Sequence, residues 1–157
     1  NNQRNINHHM YAGNPLAPSK YPADYLFASV MMSNPLGFFE VSNLPEDYSA
    51  ELEPLVRVWR EHRSELADCS IIPIGDEPSG RSWTGFLAVD EQAVPRYLLC
   101  LKEFAESEDH FYQLPVELSK QSKLTMLHGR GSATVREGGV AVEIDQTPGY
   151  LFIQIDP

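Results

Sequence analysis

The rhythm of hydrophobic and polar positions along this chain changes near Cys69. Before it the pattern is helical or loop-like; after it nearly every apolar run is short and bounded by turn residues. Asn1 to Pro18 is polar and irregular, with Gly13-Asn14-Pro15 as a breaker. From Pro22, a proline suited to a first helical turn, the run Ala23 to Met32 is apolar almost all round, which predicts a mostly buried helix over Pro22–Met32. Asn34-Pro35 ends it, because proline disfavours helical geometry in the residue before it. Leu36–Val41 has strand length and aromatic content, and predicts a strand. Leu52, Leu55, Val56, Trp59 and Leu66 then recur at helical spacing, with Arg57, Arg60, Glu61, Arg63 and Glu65 largely on the other side. This helix is expected over Glu51–Leu66, since Pro54 fits best in a first turn.

Beyond Cys69 the pattern predicts strands at Ile71–Ile74, Trp83–Val89, Tyr97–Lys102, Gln113–Leu118, Leu124–His128, Ala133–Arg136, Val140–Ile144 and Tyr150–Ile155. Turn signals separate them, among them Pro78-Ser79-Gly80, Gly129-Arg130-Gly131, Glu137-Gly138-Gly139 and Pro148-Gly149. Many short strands at this spacing read as an antiparallel β-sandwich. The chain therefore divides into a helix–strand–helix piece over 1–68 and a sandwich over 69–157.

Composition narrows the partners. The 157 residues carry 42% hydrophobic side chains and a formal charge of −10, enough apolar material for a core and the wrong sign for nucleic acid or an anionic membrane. No apolar run approaches the ~18 residues of a membrane span. The start, Asn1-Asn2-Gln3-Arg4, has neither a Met nor the layout of a signal peptide, which points to a chain processed or cut from something longer. The compartment stays open between cytoplasm and periplasm. Cys69 and Cys100 both sit beside apolar runs and read as free thiols, two being too few for a disulfide framework.

Several stretches, in order, resemble the end of a melibiase-type (α-galactosidase-like) retaining glycoside hydrolase. They are Tyr21-Pro22-Ala23-Asp24-Tyr25-Leu26-Phe27-Ala28, Asn34-Pro35-Leu36-Gly37-Phe38-Phe39-Glu40, Trp59-Arg60-Glu61-His62-Arg63, Pro73-Ile74-Gly75 and Ser82-Trp83-Thr84-Gly85-Phe86. The resemblance implies two βα units of a truncated TIM barrel followed by a C-terminal antiparallel β domain. Pro22–Met32 would be the seventh barrel helix, Leu36–Val41 the eighth strand and Glu51–Leu66 the eighth helix. A whole barrel needs about 250 residues, so this chain holds roughly a quarter of one. Retaining hydrolysis needs two carboxylates roughly 5 Å apart. In that family both are aspartates on strands upstream of the matched region, so no catalytic residue is carried over and the chain alone is expected to be inactive. The implied partners are the rest of the barrel and its oligosaccharide or galactoside substrate, with no cofactor.

Substrate-lining candidates are Asn7, His8 and His9, near a predicted strand end that would face the barrel mouth, where imidazole nitrogens can bond sugar hydroxyls. A solvated pair is the plainer reading of the histidines, and no further ligands stand at metal spacing. Glu40, after two aromatics, invites a general-acid role but has no partner carboxylate in its segment; a structural ion pair explains it as well. Trp83, with Phe86 and Tyr97, reads either as a sugar-stacking platform or as core, and Gly85 beside Trp83 suggests close packing. Gly129-Arg130-Gly131-Ser132 precedes a strand and so reads as a hairpin turn, not a phosphate loop. Asp76-Glu77, Glu61 and Glu65 read as solvated charge, and His62, His110 and His128 as isolated.

Two rival classes remain. One is a free-standing carbohydrate-binding sandwich, disfavoured by a Pro22–Met32 helix with no polar face. The other is an assembly domain whose apolar surface joins copies into a homo-oligomer.

Overall fold

The computed structural model describes residues 21–33, 35, 46–119 and 121–157. Asn7, His8, His9, Glu40 and the expected strand Leu36–Val41 lie outside them. The described residues form helices α1 (Ala23–Ala28) and α2 (Glu46–Ala67), a 3-10 turn at Met31–Ser33, and eight antiparallel strands. These are β1 (Ser70–Gly75), β2 (Trp83–Val89), β3 (Pro95–Lys102), β4 (Asp109–Gln113), β5 (Lys123–Gly129), β6 (Ser132–Arg136), β7 (Gly139–Glu143) and β8 (Gly149–Asp156). One sheet runs β1-β2-β3-β8-β5 and the other β4-β7-β6, a sandwich-like pair.

The five-stranded sheet is apolar on both faces. Trp83, Leu87 and Val89 of β2, Leu98 and Cys100 of β3, and Leu151, Ile153 and Ile155 of β8 share a core with Tyr112, Val140 and Val142 of the smaller sheet. The alternate residues Ala88, Tyr97, Leu99, Leu101, Tyr150 and Phe152 share a second core with Tyr25, Ala28, Met31, Leu55 and Leu66 of the helical segment. Side chains on a strand alternate faces, so two apolar parities demand two covers. The result is three layers: helices, five strands, three strands. The second core spans the expected boundary near Cys69. On the small sheet, β4 and β6 alternate buried or half-buried with exposed positions, as befits strands with one solvent face.

Three elements depart from the sequence reading. The predicted Pro22–Met32 helix stops at Ala28; Val30 bonds back to the Phe27 carbonyl and the chain tightens into the 3-10 turn. That segment buries Ala23, Tyr25 and Ala28 but leaves Val30 45% exposed. Helix α2 begins at Glu46, which puts Pro54 inside it rather than in its first turn. Pro54 is exposed, so the carbonyl it leaves without a donor can meet water. The predicted strand Gln113–Leu118 is instead Asp109–Gln113. Its ladder with β7 ends at Gln113 opposite Gly139, and Pro115 has no N–H to extend it. Leu114, Val116 and Leu118 still pack on the inner core, which accounts for their strand-like alternation.

The exposed edge of β1 carries Pro73, a residue that cannot donate to an added strand. Gly75 and Gly85 clear space in the same region: a Cβ on either would stand 2.5 Å from a backbone oxygen and crowd the Tyr112 ring. The close packing expected at Gly85 is therefore present, with Tyr112 as its ring.

The double burial sets a stability expectation. Leu99→Ala, on the helix-facing side, is expected to cost about 2–5 kcal/mol. Met126→Ala, at an exposed position, should stay within about 0.5 kcal/mol. Urea melts check both, and equal midpoint shifts would contradict the double-cover account.

Candidate functional site

A set of part-buried side-chain hydrogen bonds lines the seam between the helices and the large sheet. Tyr97 of β3 is 0% exposed, yet its phenol must find a partner. It donates to Glu65 Oε2 of α2, while Arg96 Nε and Nη2 donate to Glu65 Oε1 at 3.1 and 2.9 Å. His62 Nδ1 lies 3.1 Å from the same phenol oxygen. Because the phenol's one proton goes to the carboxylate, His62 must supply Nδ1–H, which assigns its tautomer by the hydrogen-bond network.

The same arrangement recurs at α1. Tyr150 of β8 donates to Asp24 Oδ2 at 3.0 Å and stands 2.7 Å from His128 Nδ1 of β5. The two rings stack with centroids 5.8 Å apart. By the same count His128 carries its proton on Nδ1. Two carboxylate–tyrosine–histidine chains thus tie one helix each to the sheet. Trp59 ties the helical segments to each other, its Nε1 donating to the Met31 carbonyl of the 3-10 turn at 2.9 Å.

These partners move the titrations. The Tyr97 phenol, then Arg96, hold the Glu65 carboxyl below the usual carboxylate range against an opposing effect of burial. Burial and the Glu65 charge push Tyr97 far up, and burial and Asp24 do the same to Tyr150. Burial holds His128 below the ordinary histidine value, opposed by Asp24.

Beyond the seam, Glu103 takes the amides of Ser79 and Ser82 and the Ser82 hydroxyl, at 2.9–3.1 Å, pinning the loop before β2. Burial raises its pKa, but those bonds outweigh it and the carboxyl is held low. Phe104, next to it, meets Tyr21 edge-on at 5.5 Å, and Tyr21 stacks on Tyr25. Glu51 Oε2 accepts from the Ala23 amide at 3.0 Å. Asp24, Glu51, Glu65 and Glu103 are therefore all engaged in holding the fold.

The expected aromatic platform is not assembled. Trp83 faces the interior of the sandwich, 4% exposed, whereas Phe86 and Tyr97 face the helices. The odd spacing between Trp83 and Phe86 on one strand puts them on opposite faces. Gly129-Arg130-Gly131-Ser132 is a tight turn as expected, but it is no hairpin: β5 pairs with β8, and β6 with β7, so the turn carries the chain from one sheet to the other. The three histidines read as isolated each have an aromatic neighbour, Tyr97, Tyr150 or Trp83. Their separations along the chain, 35 residues for His62 and Tyr97, carry no periodic signal; helix-on-sheet packing brings His62 to Tyr97, sheet-on-sheet packing His110 to Trp83, and the β5–β8 pairing His128 to Tyr150. Glu65 is likewise a hydrogen-bonded anchor rather than solvated charge.

Among the described residues no group of three or more His, Cys, Asp and Glu side chains converges as a metal site, and no helix is long and apolar enough to cross a membrane. Cys69 and Cys100 are free thiols, and burial pushes that of Cys100 up. No family model, curated protein or solved structure matches this chain.

Tyr97→Phe removes the proton that Glu65 accepts and is expected to cost about 1–2 kcal/mol, the lower range for a bond to a charged group because Glu65 is partly exposed. Its pH signature follows from linkage. A carboxyl held low in the folded state contributes stability in full above its unfolded pKa of about 4.3, and loses it as pH falls through the lowered value. Urea melts from about pH 6 to about pH 3 should show a shallower acid loss in Y97F than in wild type. Parallel curves would remove Tyr97 from the account of Glu65.

Proposed function

We propose that this chain is the C-terminal part of a melibiase-type, α-galactosidase-like glycoside hydrolase, and that its sandwich closes and braces the flank of a catalytic barrel. The observation that carries this reading is the shared core of the helices and the large sheet. In the resemblance, α1 and α2 correspond to the last two barrel helices, and here both are bonded to the outer face of the five-stranded sheet. A sheet with one face committed to such helices is a brace, not an appended binding module.

The free side of α2 supports the same reading. Val56, Arg60 and Glu61 line a surface hollow of about 400 Å³, and Trp59, Arg63 and Pro35 line another of about 430 Å³. Pro35 lies beside Arg63 and Ala67, near the far end of α2, and only residues 36–45 separate it from the start of that helix at Glu46. A βα unit of a barrel brings the chain to the far end of its helix in this way before entering it. Val30, 45% exposed, lies on the companion helical segment. On this reading the remaining barrel units cover that side, the catalytic carboxylates belong to them, and Asn7, His8 and His9 line the mouth.

Antibodies raised against the 157-residue chain test the reading in extracts of the cells that make it. The expected antigen is longer by about three-quarters of a barrel, roughly 190 residues, and its immunoprecipitate hydrolyses p-nitrophenyl α-galactoside. A single antigen of 157 residues, or a longer one without glycosidase activity, would overturn the proposal. Saturable galactoside binding by the isolated chain, together with the short antigen, would favour a carbohydrate-binding module.

A further inference from the structure

The inner core ends in a cluster that the helix–sheet seam does not use. His110 of β4 lies flat on the Trp83 indole, with centroids 5.3 Å apart and planes 5° apart. Lys102, opposite Trp83 in the β2–β3 ladder, is 1% exposed and holds its ammonium 5.6 Å from the centre of the same ring. That ammonium donates to the Ile144 carbonyl at 2.9 Å. Tyr112 meets His110 edge-on at 4.6 Å. Trp83 Nε1 and His110 Nε2 are buried, with no hydrogen-bond partner among the described residues.

This geometry treats the two forms of the imidazole differently. Neutral, it can leave one nitrogen as a bare acceptor; protonated, it carries a second N–H that also needs a partner. A buried donor without an acceptor costs its full desolvation penalty. Trp83 Nε1 and Lys102 offer only donors. Asp109, beside His110 on β4, and Asp76, after β1, favour the proton, while burial opposes it and prevails, holding His110 below the ordinary histidine range. Escape is open, because β4 is an edge strand and His110 itself is only half-buried on it.

We propose that His110 is a proton-operated lid on Trp83: the neutral ring lies on the indole, and the imidazolium turns out to water and uncovers it. The closed form then prevails above a histidine's ordinary pKa of about 6.5 and gives way as pH falls below it. The uncovered indole offers a flat apolar face at the end of the sandwich.

The chain has two tryptophans, so W59F leaves Trp83 as the single reporter. From about pH 7.5 to about pH 5, across the titration of a histidine, the Trp83 emission should shift to the red and acrylamide should quench it more strongly, with far-UV circular dichroism unchanged. W59F/H110F should show neither change. Accessibility, not intensity, is the readout, since an imidazolium quenches indole directly. An unchanged W59F, the same change in the double variant, or parallel loss of circular dichroism would each overturn the lid. Should W59F fail to fold, the full chain labelled with 5-fluorotryptophan serves. The 19F resonance perturbed by H110F must move toward its solvent-exposed position over that range, and its standing still would equally overturn the lid.

Discussion

Everything in this molecule follows from a sheet that has no side to show to water. β3 and β8 are buried at nearly every position, one parity against the small sheet and the other against the helices. An antiparallel sheet ordinarily keeps one solvated face and reads as alternating. Here Tyr97, Leu99, Leu101, Tyr150 and Phe152 would all be bare without α1, the 3-10 turn and α2. An exposed apolar face of that size is an association surface, so the helices are an obligatory layer.

Sealing such a face creates a polar problem, and the seam shows how it is solved. Tyr97 and Tyr150 bring large apolar rings but also hydroxyls, which cannot be buried unpaired without loss. Each hydroxyl donates to a carboxylate on a helix and lies within hydrogen-bond distance of a histidine Nδ1. Neutral donors and half-exposed acceptors avoid the cost of fully burying an ion pair, and they fix where each helix sits along the sheet. An apolar cover alone could slide; two short chains toward opposite ends of the neighbouring strands β3 and β8 cannot.

Much of the architecture was legible in the chain, and the failures have physical causes. Seven of the eight strands predicted beyond Cys69 lie where expected to within two residues at each end, because strand length and bounding turns do not depend on what covers the faces. The exception, around Leu114, alternates as a strand does while packing as a loop, and only Pro115 hinted at it. Continuous apolar runs such as Tyr97–Lys102 signalled burial but not by which partner. The seam was invisible for the same reason. Glu65 looks like one more charge on an amphipathic helix, and its meeting with Tyr97 depends on how α2 lies across β3. Trp83 was open between sugar contact and core, and the parity of its strand position settles which face it takes.

The two ends of the molecule treat buried polarity in opposite ways. On the helix side the hydroxyls of Tyr97 and Tyr150, the two tyrosines the sheet sends into the seam, are each answered by a charged acceptor. On the inner side, a lysine ammonium sits 1% exposed with one carbonyl partner, and Trp83 Nε1 and His110 Nε2 have none among the described residues. Natural cores answer their polar groups, so a cluster left unanswered among the described residues calls for an account beyond packing. Lys102 closes the sandwich end through Ile144, but an apolar residue there would cost only one carbonyl partner. A lysine and a histidine around one indole are what the proposed lid works on, while in the seam Tyr97 and Tyr150, pushed high, and Glu65, held low, keep their own charge states across the neutral range. On the two proposals made above, the fold separates a helix-covered face that braces a barrel from an inner end that responds to pH without loosening it.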